Sequence, residues 1–150
     1  GRKGTLYEGG IRVPFIVNQP GMVPIQTLDN LIYFPDMMPT LAALAKGTKH
    51  LPKQINGINI LPLFYGKQVD TDNRLLYWEF PGKQRAARKG DWKCVTIHPN
   101  QPLELYNLKE DPEETNNLAK KYPRRVKEFD EEMQRMHIPT PNWPQPGEQF

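Results

Sequence analysis

The chain has one cysteine, Cys94, in 150 residues. A lone thiol has no partner for a disulfide framework and cannot build a cysteine metal cluster, so neither can hold this fold together. Apolar runs are short, none approaching the roughly 20 residues that a membrane-spanning helix needs. No basic-then-apolar leader opens the chain and no Met begins it. The start therefore reads as an internal cut, and the chain's own residues leave localisation open. An excess of one charge is also missing: 20 Lys and Arg stand against 17 Asp and Glu for a net charge of +3. Spread along the chain, this is too weak for nucleic acid, although a mild positive bias suits anionic ligands such as sulfated sugars as well as ordinary solubility. Apolar residues make up 37% and 16 prolines accompany 11 glycines, a balance that predicts a thin core and long ordered loops.

Against that background a few segments carry clear patterns. Residues 11–17, Ile-Arg-Val-Pro-Phe-Ile-Val, predict a short buried strand, with Pro14 placing it at an edge because it lacks an amide donor. Residues 35–45 predict a helix with Met37, Met38, Leu41, Leu44 and Ala45 on one face, its prolines crowded into the first turn. The apolar group Ile60, Leu61, Leu63, Phe64 and Tyr65 predicts one helical turn in a loop. Beyond a polar linker at residues 69–73, β-rich runs at 74–80, 85–89, 92–98 and 103–108 predict an antiparallel sheet of four strands, with a hairpin corner at Lys89-Gly90-Asp91. Asp111-Pro112 with Glu114 has the form of a helix start, and residues 123–136 place Val126, Phe129, Met133 and Met136 at helical spacing, an amphipathic helix to lie across the sheet. The tail at 138–150, with four prolines and Trp143, predicts an extended strap.

Residues 1–14, with Gly1, Lys3, Tyr7-Glu8-Gly9-Gly10 and Arg12-Val13-Pro14, resemble the G-K-x-x-x-Y-E-G-G-x-R-V-P stretch of type I sulfatases. Asp36-Met37-Met38-Pro39-Thr40-Leu41 is similar to that family's D-x-x-P-T-L helix start. Asn56-Gly57 and Leu61-Pro62-Leu63-Phe64-Tyr65-Gly66 resemble its D-G…L-x-P-L-L-x-G segment. Trp78-Glu79, residues 84–88, Gly90-Asp91-Trp92-Lys93, Glu104-Leu105-Tyr106-Asn107-Leu108 and Asp111-Pro112-x-Glu114-x-x-Asn117-Leu118-Ala119 follow the C-terminal signatures in the same order. Phe80 stands where many relatives carry histidine after W-E, and Asn56 and Asn107 replace the usual aspartates. Resemblance covers residues 1–136.

The resemblance implies the C-terminal part of an α/β, alkaline-phosphatase-like sulfatase: residues 1–70 ending the large α/β catalytic domain, and 71–150 forming a small antiparallel-sheet subdomain packed by a C-terminal helix. It implies a parent enzyme that hydrolyses aryl or carbohydrate sulfate esters through a formylglycine, with calcium holding the sulfate. The nucleophile motif and metal ligands belong to an N-terminal catalytic half, so this chain alone is expected to be inactive and to hold no metal. The resemblance suggests a periplasmic, secreted or lysosomal location for the parent. Of the family's active-site residues, Lys3 maps here, and an ammonium aimed at a sulfate oxygen suits the charge that builds as the ester breaks. Arg85, Arg88 and His98 are candidate contacts to a sulfated substrate, with Trp78 beside them, because arginine forks match sulfate oxygens and indoles stack on sugars. Glu8 and Arg12 are expected to form a charge pair that orients the loop.

An alternative reading is a non-catalytic module that binds sulfated glycans or other polyanions. A sulfatase fragment, unlike such a module, is expected to leave an apolar face exposed within residues 11–45, lacking the sheet that covers it in the parent.

Overall fold

A computed structural model describes residues 2–80, 84–141, 144 and 148–149; Gly1 and Trp143, named above, lie outside the described residues. The chain divides into two compact units, Gly1–Val13 with Arg74–Phe150, and Pro14–Asn73. The first thirteen residues thus belong to the same unit as the sheet.

Four antiparallel strands form the sheet in chain order, β1 (Leu75–Phe80), β2 (Gln84–Lys89), β3 (Trp92–Thr96) and β4 (Glu104–Asn107). Successive strand residues point to opposite faces, and the register places Ala86 beside Val95 and Ala87 beside Cys94. One face therefore gathers Ala87, Cys94 and Leu105 under Phe129 and Met133 of helix α4 (Pro123–Met136). The opposite face gathers Ala86, Val95, Tyr106 and Leu108 under Leu6, with Tyr7 and Ile11 at the margin. Helix α4 has the predicted bounds, because its i, i+3, i+4 apolar stripe needs an apolar surface and this sheet face supplies one. At its start Arg125 lies 4.4 Å over the Trp92 ring, and Tyr122 meets that ring edge-on at 5.3 Å. Cys94 is fully buried between sheet and helix, and burial pushes its thiol up to about 12.

Two predicted elements take other forms. Residues 8–11 make a single helical turn, α1 (Glu8–Ile11), and 12–17 pair with no strand among the described residues. Gly10 explains the turn: a side chain there would lie 2.0 Å from the Thr5 carbonyl oxygen, so the backbone folds tightly onto residues 2–5. Pro14 then offers no amide to a ladder. Asp111-Pro112 begins a loop and not a helix. The Asp111 carboxylate accepts bonds from the Thr115 and Asn116 amides at 3.0 and 2.8 Å, while Glu114 sits at φ +58°, outside the helical region. Those bonds to the charged form hold the Asp111 pKa below the ordinary range.

The unit Pro14–Asn73 contains a 3-10 turn (Phe34–Asp36), helix α2 (Met37–Leu44), a second 3-10 turn (Thr48–His50) and the helical turn α3 (Leu61–Phe64), with no strand among the described residues. Asp36 is completely buried and its two carboxylate oxygens accept from the amides of Tyr33 (3.0 Å) and Ile58 (2.9 Å). Thr40, one turn on, donates to the Asp36 carbonyl and accepts from the Ile60 amide at 3.0 Å. Gly57 is required between them, because a Cβ there would lie 2.0 Å from the Pro35 carbonyl oxygen. The D-x-x-P-T signature thus ties α2 to the segment 57–60 through backbone amides. This turns the helix inside out: Thr40 is buried while Met38, Leu41 and Leu44 are each more than half exposed. Phe34 (87%) and Ile16 (86%) of this unit are exposed as well, as is Val13 (74%) of the other.

Candidate functional site

Lys3 occupies a turn in which the Thr5 amide donates to the Arg2 carbonyl at 3.2 Å and the Thr5 hydroxyl donates to the same oxygen at 2.7 Å. Gly4 follows with φ +87°, the conformation that the third residue of a type II turn demands and that a side chain resists. Lys3 is exposed at the tip. Its backbone is held from below by Gln84, whose amide donates to the Gly4 carbonyl at 3.0 Å and accepts from the Leu6 amide at 3.2 Å.

The residues after the turn are tied still more firmly. Lys93 is wholly buried, with its ammonium 2.9 Å from Glu8 Oε1 and 2.8 Å from Glu114 Oε1. Arg88 reaches the other Glu8 oxygen at 3.5 Å, and the Glu8 amide donates to Glu114 Oε2 at 2.6 Å. Two carboxylates facing each other in a dry interior would repel; the ammonium between them and the guanidinium beside Glu8 offset that repulsion. The left-handed backbone at Glu114 is part of this arrangement, since it accompanies a carboxylate that meets both the Glu8 amide and Lys93. Glu8 pairs with Lys93 and Arg88 and not with the expected Arg12, which is exposed.

Tyr7 adds a third tie. Its hydroxyl and that of Tyr106 both donate to Glu104 Oε2, at 2.5 and 2.8 Å, and the two rings meet edge-on with centroids 6.3 Å apart. Burial first, and the hydrogen bond to the Glu104 carboxylate second, raise both phenol pKa values, so both hydroxyls remain donors. Gln84, Arg88, Lys93, Glu104, Tyr106 and Glu114 therefore all converge on residues 4–8. The sequence quoted these residues as separate signatures; the structure brings them together as a cradle for the segment that carries Lys3.

The other candidate contacts are dispersed. Arg85 projects to the α4 face of the sheet, with Nη2 3.6 Å from Asp130 Oδ1. Arg88 lies on the opposite face, bound to Glu8 and, through Nε, to the Gly90 carbonyl at 3.0 Å. His98 is exposed past the end of β3, its Nδ1 accepting from the Asn100 amide at 3.3 Å. On the α4 side, His137 at the end of the helix bridges Glu79 of β1 (2.5 Å) and Glu148 (2.6 Å). Burial disfavours the imidazolium there, but the two carboxylates outweigh it and raise the His137 pKa. Among the described residues no group of three or more His, Cys, Asp or Glu side chains is placed to hold a metal ion.

Sequence reasoning gave Lys93, Gln84 and Glu104 no role and Glu114 only a place in a helix start. Lys93 follows Trp92 in a strand, where alternation alone leaves a charged side chain facing either way, and its carboxylate partners lie 85 and 21 positions off in the chain. The local signal was the capping pattern at Asp111, which pointed to a helix.

Comparison with known proteins places the chain in a family. The family model for N-sulphoglucosamine sulphohydrolase, C-terminal, matches residues 2–138. A sulfatase of Formosa agariphila is 32% identical over 139 residues, covering 81% of this chain and 25% of its own length. Arylsulfatase K of Gallus gallus is 30% identical, covering 85% of this chain and 26% of its own length. A Bacteroides thetaiotaomicron protein, solved in work on the metabolism of multiple glycosaminoglycans, superposes with a TM-score of 0.74 at 28% identity, covering 89% of this chain and 30% of that one. The chain spans about a quarter of the length of the curated relatives it matches. With its sheet, its C-terminal helix and the cradled N-terminal segment, the chain belongs to the C-terminal family of N-sulphoglucosamine sulphohydrolase and is the C-terminal portion of a sulfatase.

Proposed function

We propose that the protein containing this chain hydrolyses sulfate esters of an aryl or carbohydrate substrate, and that this chain contributes Lys3 to the sulfate site and one wall of the substrate cleft. The observation that carries the reading is the exposed Lys3 on a turn whose following residues are anchored by Gln84, Glu104, Lys93 and Glu114. A flexible surface lysine needs no such anchoring. A cation that must meet a sulfate oxygen as negative charge develops there gains from a fixed backbone, because stabilisation depends on the donor being in place before reaction.

The exposed apolar face of α2 and its neighbours favours this reading over a self-sufficient polyanion-binding module. An N-terminal catalytic region would cover Met38, Leu41 and Leu44 and supply the nucleophile, formylglycine in this family, together with the calcium ligands. Lys3 would bind and orient sulfate and stabilise the oxygen that departs. In the full-length protein Lys3→Ala is expected to lower turnover of an aryl sulfate by about 10²–10³, the loss typical of one oxyanion-stabilising donor, with the fold unchanged by circular dichroism. Unchanged turnover overturns the assignment.

A further inference from the structure

Gln84 opens β2 opposite Phe80 and is only 9% exposed, yet its carboxamide is turned away from the sheet's own ladder onto the N-terminal segment. One planar group donates to the Gly4 carbonyl and accepts from the Leu6 amide. The two bonds lie one and three residues beyond Lys3, so together they fix both the translation and the tilt of the backbone that leaves the turn. Leu6 itself is 3% exposed in the core with Ala86 and Val95, which makes the Gln84 bonds the link between that fixed point and the exposed tip. From these contacts we propose that Gln84 is a positioning residue that sets where Lys3 meets the sulfate. The proposal rests on the reading of Lys3 given above.

Side-chain chemistry restricts the position. Glutamate has no donor for the Gly4 carbonyl and would place a carboxylate near the lysine. Asparagine is one methylene shorter. Methionine has similar length and fills the space but makes neither bond, so it removes the clamp while keeping the packing. Gly4 offers a second route to the same effect, from the turn side. A Cβ there meets nothing within 4 Å, but φ +87° makes any side chain strain the turn, so Gly4→Ala shifts the backbone that carries Lys3, and the carbonyl that Gln84 binds, while leaving the Gln84 side chain itself unchanged.

The test is steady-state kinetics of the full-length protein on 4-nitrophenyl sulfate, with inorganic sulfate as competitive probe, for Gln84→Met, Gly4→Ala, Lys3→Ala and both double variants with Lys3→Ala. A displacement of a binding group by an ångström costs up to about 10²-fold, so Gln84→Met is expected to lower kcat about tenfold or more and to weaken inhibition by sulfate. In the Lys3→Ala background the same change is expected to alter kcat less than about twofold, because contacting groups that act as one unit do not add. Gly4→Ala should behave the same way. Equal losses from Gln84→Met with and without Lys3 would make Gln84 a purely structural residue and overturn the proposal, as would wild-type kcat in Gln84→Met. If Lys3→Ala alone leaves turnover unchanged, the reading of Lys3 itself is overturned, and the two failures are thereby told apart.

Discussion

The two units of this chain are held by different means. In the unit built on the sheet, apolar side chains fill both faces and charges are buried only where opposite charges meet them, as at Glu8, Lys93 and Glu114. In Pro14–Asn73 the buried core hydrophobics are Leu31, Ile60 and Leu63, and the backbone is organised by Asp36, Thr40 and Thr71 accepting from main-chain amides. The second also leaves Met38, Leu41 and Leu44 of α2 more than half exposed. The comparison teaches that the same family signatures do two kinds of work: those after residue 74 clamp the N-terminal segment, and those at 36–40 and 57 tie α2 to the segment 57–60.

That contrast can be broken hardest at Lys93. Lys93→Met in the full-length protein leaves the Glu8 and Glu114 carboxylates buried without their shared cation and is expected to cost about 3–5 kcal/mol. Denaturant unfolding checks the size, and amide exchange should locate the loss in β3 and residues 2–13. A loss below about 1 kcal/mol would show that this cluster does not hold the segment. In the other unit, Asp36→Ala orphans the amides of Tyr33 and Ile58, at about 1–3 kcal/mol for each if it stays dry. Its exchange signature should be confined to residues 31–60 and leave the sheet protected.

Smaller changes sharpen the comparison. Leu41→Ser is expected to move the thermal stability of the isolated chain by no more than about 0.5 kcal/mol, since the residue is already exposed. In the full-length protein it should cost about 1.5–3 kcal/mol, the value of a leucine that becomes buried. Equal effects in the two settings would mean that nothing covers α2. The smallest expected effect is conditional on pH. The His137 pKa is raised in the folded protein, so its bridge to Glu79 and Glu148 contributes fully below the ordinary value of 6.5 and is lost as pH rises through the higher folded value. Melting temperature across that range should fall more in the parent than in His137→Gln.

Much of the fold was legible because strong periodicities coincide with tertiary demand. The four strands follow from β-rich runs, α4 from the Val126-Phe129-Met133 stripe, and α2 from its proline-limited start. Residues 11–17 misled because a β-rich apolar run signals burial without saying what covers it, and within this chain Val13, Phe15 and Ile16 are exposed. Asp111-Pro112-Glu113-Glu114 misled because Glu114 is needed by Lys93 and the Glu8 amide, and that pull outweighs a local capping preference. The role proposed for Lys3 comes from its motif. The cradle beneath it was not legible, since Gln84 to Gly4 and Lys93 to Glu8 join residues 80 and 85 positions apart.

Cys94 lies at the centre of the sheet, wholly buried under Phe129 and Met133, with its thiol held neutral well above physiological pH. Such a thiol is chemically silent until α4 lifts from the strands. The protein therefore carries its own clock for that event: the rate at which an added alkylating or disulfide reagent consumes Cys94 measures how often the sheet opens, with no label introduced.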